Sequence, residues 1–524
     1  MVYIKFGITG IQDFIFNVTS KGAAKSLRSR SFFIEACTNL AEERLLKEFS
    51  TATEIYNGGG NFILRLPTDK FLEDKFNNVI DEIGNLLLKY NIKIVAAFYI
   101  AETKNFGEIL TELNSKTNQS KYKPNKYISY YNAINDKIKE RLEDVGNINQ
   151  SLINSKSYSI DGDNTKVLTQ RFTFYNNYEG KYKIVQNVPK WNSSSLSLNQ
   201  LVIDNLISDD ENLDVPAKGE SISFQYLSEF AKRRSGTSKV GVLKLDVDNF
   251  GAILRNLEDL SHYQELSKRV TNFFEDDVLN LMEGKYEYTE VFKKGEKGKK
   301  NDTVHKSEII KDNIYTVFLG GDDCFLIGSW DVLLDFVYKL KVKFEAFSEL
   351  LRKDLDFLDS NLTFSASFIL IDSHFPVIKF SDIAEDELFR AKNHYPDRKN
   401  AFSIFKEILP FEDLEEMLLL KNKFKNMVLE DGTEKGIIQK FVNLFTNSDN
   451  IYWQKNGKPF NPAIIWRFIF IMRDIKDKFD YKSTFFNQSG IHDKYIKDSF
   501  KNNDMKHRYI QIGARITEFL TKTK

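Results

Sequence analysis

The sequence predicts an α+β chain made of two ferredoxin-like units, a small intervening domain and an all-helical C-terminal domain. Three observations predict it. A strand–helix–hairpin–helix–strand pattern occurs twice along the chain. Each copy centres on a hairpin with a Gly-Gly tip, at Gly59-Gly60 and at Gly320-Gly321. Self-similarity on this scale marks tandem related domains. From about residue 409 onward the apolar pattern is helical throughout.

The first unit is placed at 1–124. Tyr3–Ile8 is an apolar strand, and Ala23–Leu46 has helical spacing, with Leu27, Phe32, Ile34, Ala36, Leu40 and Leu45 available for burial. Glu54–Tyr56 and Phe62–Leu66 flank the tip Asn57-Gly58-Gly59-Gly60-Asn61; Phe71–Tyr90 is a helix and Ile92–Ile100 a strand. Residues 125–220 are polar, rich in Asn and Ser and weakly periodic, with a small β element at Arg171–Tyr178 and Tyr182–Gln186. They form the intervening domain.

The second unit, 221–408, repeats the order. Val240–Asp246 is a strand, Tyr263–Met282 a helix, Val332–Leu351 a second helix, Leu362–Ile371 a strand and Ile383–Asn393 a further helix. Its hairpin joins Ile314–Leu319 to Cys324–Ile327 through Gly320-Gly321-Asp322-Asp323. The Lys- and Gly-rich run Lys285–Lys311 reads as an exposed, solvated loop. The C-terminal domain, 409–524, shows helices at Leu414–Met427, Glu434–Phe445, Pro462–Phe479 and His507–Leu520, and holds Trp453 and Trp466. It has no catalytic motif, and its expected role is packing.

Composition narrows the function classes. The chain has 524 residues and balances 74 Lys+Arg against 74 Asp+Glu, so it lacks the basic field of a stand-alone nucleic-acid binder. Its two cysteines, Cys37 and Cys324, are too few for a disulfide framework or a Cys-x-x-Cys zinc site. The opening residues lack the pattern of a signal peptide, and the run Ala463–Met472 is too short for a membrane span and is interrupted by Arg467. A cytoplasmic protein without membrane contact is expected.

The chemistry concentrates at Gly320-Gly321-Asp322-Asp323. Two glycines let a backbone turn tightly and approach a phosphate with no Cβ in the way. Two carboxylates at the same tip suit Mg²⁺ or Mn²⁺, which takes hard oxygen ligands and substrate phosphates. A two-metal site needs further carboxylates from a neighbouring strand. Leu245-Asp246-Val247-Asp248-Asn249 ends the first strand of the same unit, and alternation would put Asp246 and Asp248 on one side. Each motif alone also fits an ordinary cap or turn; at matching places in one fold they point together to nucleotide polymerisation.

The first unit has no acids at its tip and cannot assemble the same metal pair. Two readings of it stand. Gly59 and Gly60, with Arg28 and Arg30, cradle a nucleotide; or the unit is a degenerate structural duplicate. All six histidines (His262, His305, His374, His394, His492, His507) lie at 262 or beyond, so no His-Asp phosphohydrolase pair exists in the first 261 residues.

These motifs resemble Cas10, the large subunit of type III CRISPR complexes. The resemblance is carried by Phe6-Gly7-Ile8-Thr9-Gly10-Ile11-Gln12-Asp13-Phe14-Ile15-Phe16, Ser26-Leu27-Arg28-Ser29-Arg30-Ser31-Phe32 and Tyr56–Phe62 in the first palm. In the second palm Phe230-Ala231-Lys232, Gly241–Gly251, Gly320–Trp330, Ser365-Ala366-Ser367 and Ala391-Lys392-Asn393 carry it. It is closer to the Csm type than to the Cmr type.

The resemblance implies two palm (GGDEF-like) domains and a helical domain similar to the small subunit. It implies conversion of ATP to cyclic oligoadenylates when target RNA pairs with the guide RNA, in a complex with Cas5-like, Cas7-like and small subunits. It assigns metal ligation to Asp246, Asp322 and Asp323 with Asp248 in support, an adenine contact to Ser267 and a triphosphate contact to Lys392. It also implies two departures from the family: no N-terminal His-Asp nuclease domain, hence no DNA cleavage by it, and no zinc in the cysteine-free intervening domain. A catalytically silent scaffold, and a palm polymerase making a cyclic dinucleotide or an AMP conjugate, are the alternative readings.

Overall fold

The computed structural model describes residues 1–19, 22–120, 131–163, 166–191, 216, 219–293, 300–395, 398–444, 463–473, 490–497 and 506–522. The α+β class is as expected. The first palm is a four-stranded sheet, β1 (Val2–Thr9), β2 (Thr53–Gly58), β3 (Asn61–Leu66) and β4 (Lys93–Ile100), in the order β2-β3-β1-β4. Helices Ala23–Glu48 and Glu73–Leu88 cover it. Leu27, Phe33, Leu45, Val79 and Ile83 bury one apolar stripe against Ile4, Phe6, Phe62 and Leu64.

Strands β5 (Ser157–Ile160), β6 (Phe172–Tyr175) and β7 (Tyr182–Lys183) form the intervening sheet, order β6-β5-β7. The helix Tyr131–Asn147 precedes it. This sheet is tied to the first palm, where Asn39 Nδ2 donates to the Tyr158 hydroxyl at 2.7 Å. The segment after it is tied to the second palm, where Asn187 Nδ2 donates to the Ile314 carbonyl at 2.6 Å.

The second palm repeats the first. Strands β8 (Val240–Val247), β11 (Ile314–Gly320), β12 (Asp323–Ser329) and β13 (Phe364–Ile371) align as β11-β12-β8-β13, and β14 (Ala401–Ile404) and β15 (Glu407–Pro410) extend the sheet. Leu243, Leu245 and Val247 face the helices Leu260–Asn272 and Trp330–Asp354. The opposite face carries Val242 into the first-palm core, where Phe16 meets Phe325 at 4.7 Å between ring centroids. The two palms therefore share a core.

One expectation is corrected. The run Lys285–Lys311 contains a hairpin, β9 (Lys285–Lys293) paired with β10 (Asp302–Ile309), with residues 294–299 outside the described set. Its lysines drew attention away from a period-two pattern that buries Tyr286 and Tyr288. Glu308 on β10 accepts from Arg234, which also grips Asp331 at 2.7 and 2.9 Å.

The helices Leu414–Leu429, Lys435–Val442, Ala463–Arg473 and Arg508–Leu520 form the C-terminal part. The last of these packs back on the second palm: Phe519 lies 6.0 Å from Trp330, and its carbonyl accepts from Thr237. Trp466 is 73% exposed, and Trp453 lies outside the described residues. Among the described residues no helix is long and apolar enough to cross a membrane.

Candidate nucleotidyl-transfer site

Register brings the acids together. β12 pairs with β8 so that Asp323 stands directly opposite Asp246, and β11 closes the hairpin with Gly320 opposite Asp323. The turn is held by Val247 N–H donating to the Asp322 carbonyl at 2.8 Å. Gly321 takes φ +62°, a left-handed turn that favours glycine, and a Cβ at Gly320 would meet nothing within 4 Å. That open flank leaves room for a close approach to the backbone.

The same register in the first palm explains its missing acids. Gly58 pairs with Asn61, Gly7 lies opposite Asn61, and Ile8 N–H donates to the Gly60 carbonyl at 2.9 Å. Asn61 thus stands where Asp323 stands, Gly60 matches Asp322, and Gly7 matches Asp246. A Cβ at Gly7 would collide with the Asn61 side chain, which fills the space of the absent acid.

The two tips meet at a cavity of about 460 Å³. Gly58, Gly59 and Gly60 line it from one palm; Gly320, Gly321 and Asp323 line it from the other. The helix Ala23–Glu48 and the intervening residues Tyr182 and Lys183 complete its wall. On the first-palm side Asn57 Nδ2 donates to Glu42 at 2.7 Å and to Asn39 at 2.8 Å. Burial and the Glu54 carboxylate push the Glu42 carboxyl up to about 8.

The acidic end is electrostatically strained. Burial, then Asp246, raises the Asp322 carboxyl to about 6. Burial, then Asp322 and Asp246, raises Asp323 to about 7. Two cations moderate this. Lys392, at the end of the helix Val377–Lys392, pairs with Asp246. Lys244, on β8 and 3% exposed, pairs with Glu385 and lies near Asp323.

Models of two known domains match the chain: the second palm domain of Cas10/Cmr2 over residues 239–403, and domain B of the Csm1 subunit over residues 1–141. The chain belongs to the Cas10/Csm1 family. A curated relative from Methanocaldococcus jannaschii, named as the single-strand-specific deoxyribonuclease Cas10/Csm1 of a subtype III-A CRISPR system, is 26% identical over 76% of this chain and 58% of its own length. A relative of the same description from Enterococcus italicus is 23% identical over 86% of this chain and 60% of its own length. The chain thus spans under two thirds of these relatives. Among solved structures, a Csm1–Csm4 cassette with one ATP superposes with a TM-score of 0.67 at 17% identity, covering 99% of this chain and 70% of that one. A cassette with cA3 gives 0.66 at 16% identity, covering 99% and 69%.

Several expected site residues of this Cas10/Csm1 chain have structural surroundings of their own. β8 ends at Val247, so strand alternation does not govern Asp248. Its carboxylate is 4% exposed and accepts from Thr363 Oγ1, Ser365 Oγ and the Asn400 N–H, each at 2.8 Å. Asp248 ties β8, β13 and the start of β14 together. Arg28 is fully buried and donates to the Asn149 carbonyl at 3.1 Å, against Tyr315. Arg30 donates to the Phe14 and Asn17 carbonyls, both at 2.7 Å, closing the end of the helix Ile11–Phe16. Neither arginine lines the cavity; both satisfy backbone carbonyls instead. Ser267 is 3% exposed, one turn beyond Tyr263 on the helix Leu260–Asn272, and its buried hydroxyl has no hydrogen-bond partner among the described residues.

Sequence reasoning missed Lys244 and Tyr56. Lys244 had a signal: a lone charge inside the apolar strand Val-Gly-Val-Leu-Lys-Leu-Asp-Val. Tyr56 lies across the palm boundary, with its ring 6.4 Å from that of Tyr263. Burial, Tyr263 and the Asp322 and Asp323 carboxylates push its phenol well above the ordinary value.

Proposed function

We propose that the chain is the nucleotidyltransferase of a type III CRISPR effector, converting ATP to cyclic oligoadenylates when target RNA is recognised. Its partners are then Cas5-like, Cas7-like and small subunits, with guide and target RNA. The observation that carries this is Asp323 opposite Asp246 at a glycine tip that opens on a cavity shared with the second glycine tip. Csm1–Csm4 cassettes solved with ATP, cA3 and cA4 support the reading.

Asp246, Asp322 and Asp323 are the residues that would hold Mg²⁺ or Mn²⁺. The fit is chemical: hard oxygen donors, crowded until two carboxyls titrate near neutrality, at a tip open to phosphate. Among the described residues no three His, Cys, Asp or Glu side chains stand in ligating geometry; substrate phosphates would have to complete the shell of such a cation. Such an ion supplies charge neutralisation at the transferred phosphoryl group and a lowered pKa for the attacking hydroxyl.

The chain's own groups set the geometry. The first-palm tip and the Glu42–Asn57–Asn39 network hold the nucleotide that offers its 3′-hydroxyl. The Gly320-Gly321 turn seats the phosphates of the second nucleotide. Lys392 and Lys244 balance their charge, since phosphoryl transfer depends on positioning and charge neutralisation. The 3′-hydroxyl gives up its proton to solvent, its oxygen bonds to the α-phosphorus, the bond to the β-phosphate breaks, and pyrophosphate leaves.

The test is the double variant Asp322→Ala/Asp323→Ala in the assembled complex with target RNA and labelled ATP. Loss of product is expected. Conversion at the wild-type rate refutes the site. Mass spectrometry of a mixed-NTP reaction separates cyclic oligoadenylates from a cyclic dinucleotide or an AMP conjugate.

A further inference from the structure

We propose that Tyr56, on the first-palm hairpin, is a substrate-contacting residue of the second palm's reaction, its hydroxyl donating to a non-bridging oxygen of the α-phosphate held at the Gly320–Asp323 tip. The inference rests on the function proposed above.

Three observations carry it. The hydroxyl stands between the two glycine turns: a Cβ added at Gly58 would lie 2.8 Å from its oxygen, and one at Gly321 would lie 3.5 Å away. Gly58 therefore leaves room for this phenol as well as for the turn. The strand is bulged between Glu54 and Tyr56, where its register against β3 shifts by one residue. Bulges beside active sites re-aim a side chain, and this one sends Tyr56 across to the opposite palm, against Tyr263. Last, the phenol makes no hydrogen bond among the described residues, although the ring is packed against the core. Tyr263 and the buried Ser267 hydroxyl, which has no hydrogen-bond partner among the described residues, lie on the neighbouring helix Leu260–Asn272. The Tyr56 hydroxyl is thus an uncommitted donor that lies against both glycine turns.

A phenol suits the position. It is protonated at neutral pH and can only donate to a phosphate oxygen, which carries no hydrogen. It adds no charge beside carboxylates that must keep their affinity for a cation. If the ring served only as a spacer, phenylalanine would serve equally.

The experiment compares Tyr56→Phe with wild type in the assembled, target-activated complex, using ATP and the Sp and Rp diastereomers of ATPαS. The expected result is a kcat lower by about 10- to 100-fold with KM changed less than about threefold. The ratio of Sp to Rp rates should shift at least about fivefold, because one non-bridging oxygen loses its donor. An unchanged thermal midpoint shows that the fold is intact. A wild-type kcat, or a lowered kcat with the diastereomer ratio unmoved, overturns the inference and leaves a spacer. An active wild type with an unaltered Tyr56→Phe sinks this inference alone; an inactive wild type sinks the proposed function and this inference with it.

Discussion

Asp323→Asn should stabilise the metal-free protein at high pH. The Asp323 carboxyl is raised from its ordinary value of 3.8 to about 7 by burial and by Asp322 and Asp246. A raised acid contributes stability that is fully present below the unfolded pKa and is lost as pH rises through the folded one. Wild type therefore loses stability between about pH 4 and pH 7. Three units at 1.36 kcal/mol each set a ceiling of about 4 kcal/mol at pH 8, falling to about 2 kcal/mol at pH 5. Asparagine keeps the shape and removes the charge, but it also removes the attraction to Lys244 and Lys392, so a gain of about 1–3 kcal/mol is expected at pH 8. Urea unfolding in a chelating buffer at pH 5 and pH 8 measures it. Adding Mg²⁺ should then stabilise wild type and leave the variant nearly unmoved. A variant equal to or weaker than wild type at pH 8 in chelator refutes the claim that the three aspartates repel one another at the tip.

Asp248→Ala should cost about 2–4 kcal/mol with or without divalent cation, because three donors lose their acceptor; a loss seen only with Mg²⁺ would make it a ligand instead. Arg234→Ala should cost about 3–5 kcal/mol in thermal or urea unfolding, since it strands the buried Asp331 carboxylate. Gly107→Val should loosen the palm–palm contact, because a Cβ there collides with the Arg255 carbonyl; a lowered thermal midpoint and faster proteolysis near residue 107 are expected.

Most of the fold was legible because its strands are apolar and its hairpins end in glycine. β1 to β4 and β8, β11, β12 and β13 follow that grammar. β9 and β10 did not, because their lysines masked the alternation that buries Tyr286 and Tyr288. At the site, Asp322, Asp323 and Asp246 stood out because two acidic motifs, each an ordinary cap or turn alone, fall at matching places in one repeated fold. Arg28 and Arg30 misled because arginines that satisfy backbone carbonyls look the same in sequence as arginines awaiting a phosphate. Asp248 misled because alternation was extended one residue past the end of its strand.

By itself, then, the sequence determined that two palms exist, that one tip has acids and the other has none, and that the chain resembles Cas10. These are local facts, written in adjacent residues and in periods of two and 3.6. Only the tertiary structure decided that Asp323 faces Asp246 across a strand pair, that Asn61 fills the space above Gly7, and that Tyr56 crosses to the opposite tip. Those relations join residues up to 265 positions apart, from Tyr56 to Gly321. Strand register, one bulge and a core shared by both palms set them, and no local pattern encodes such contacts.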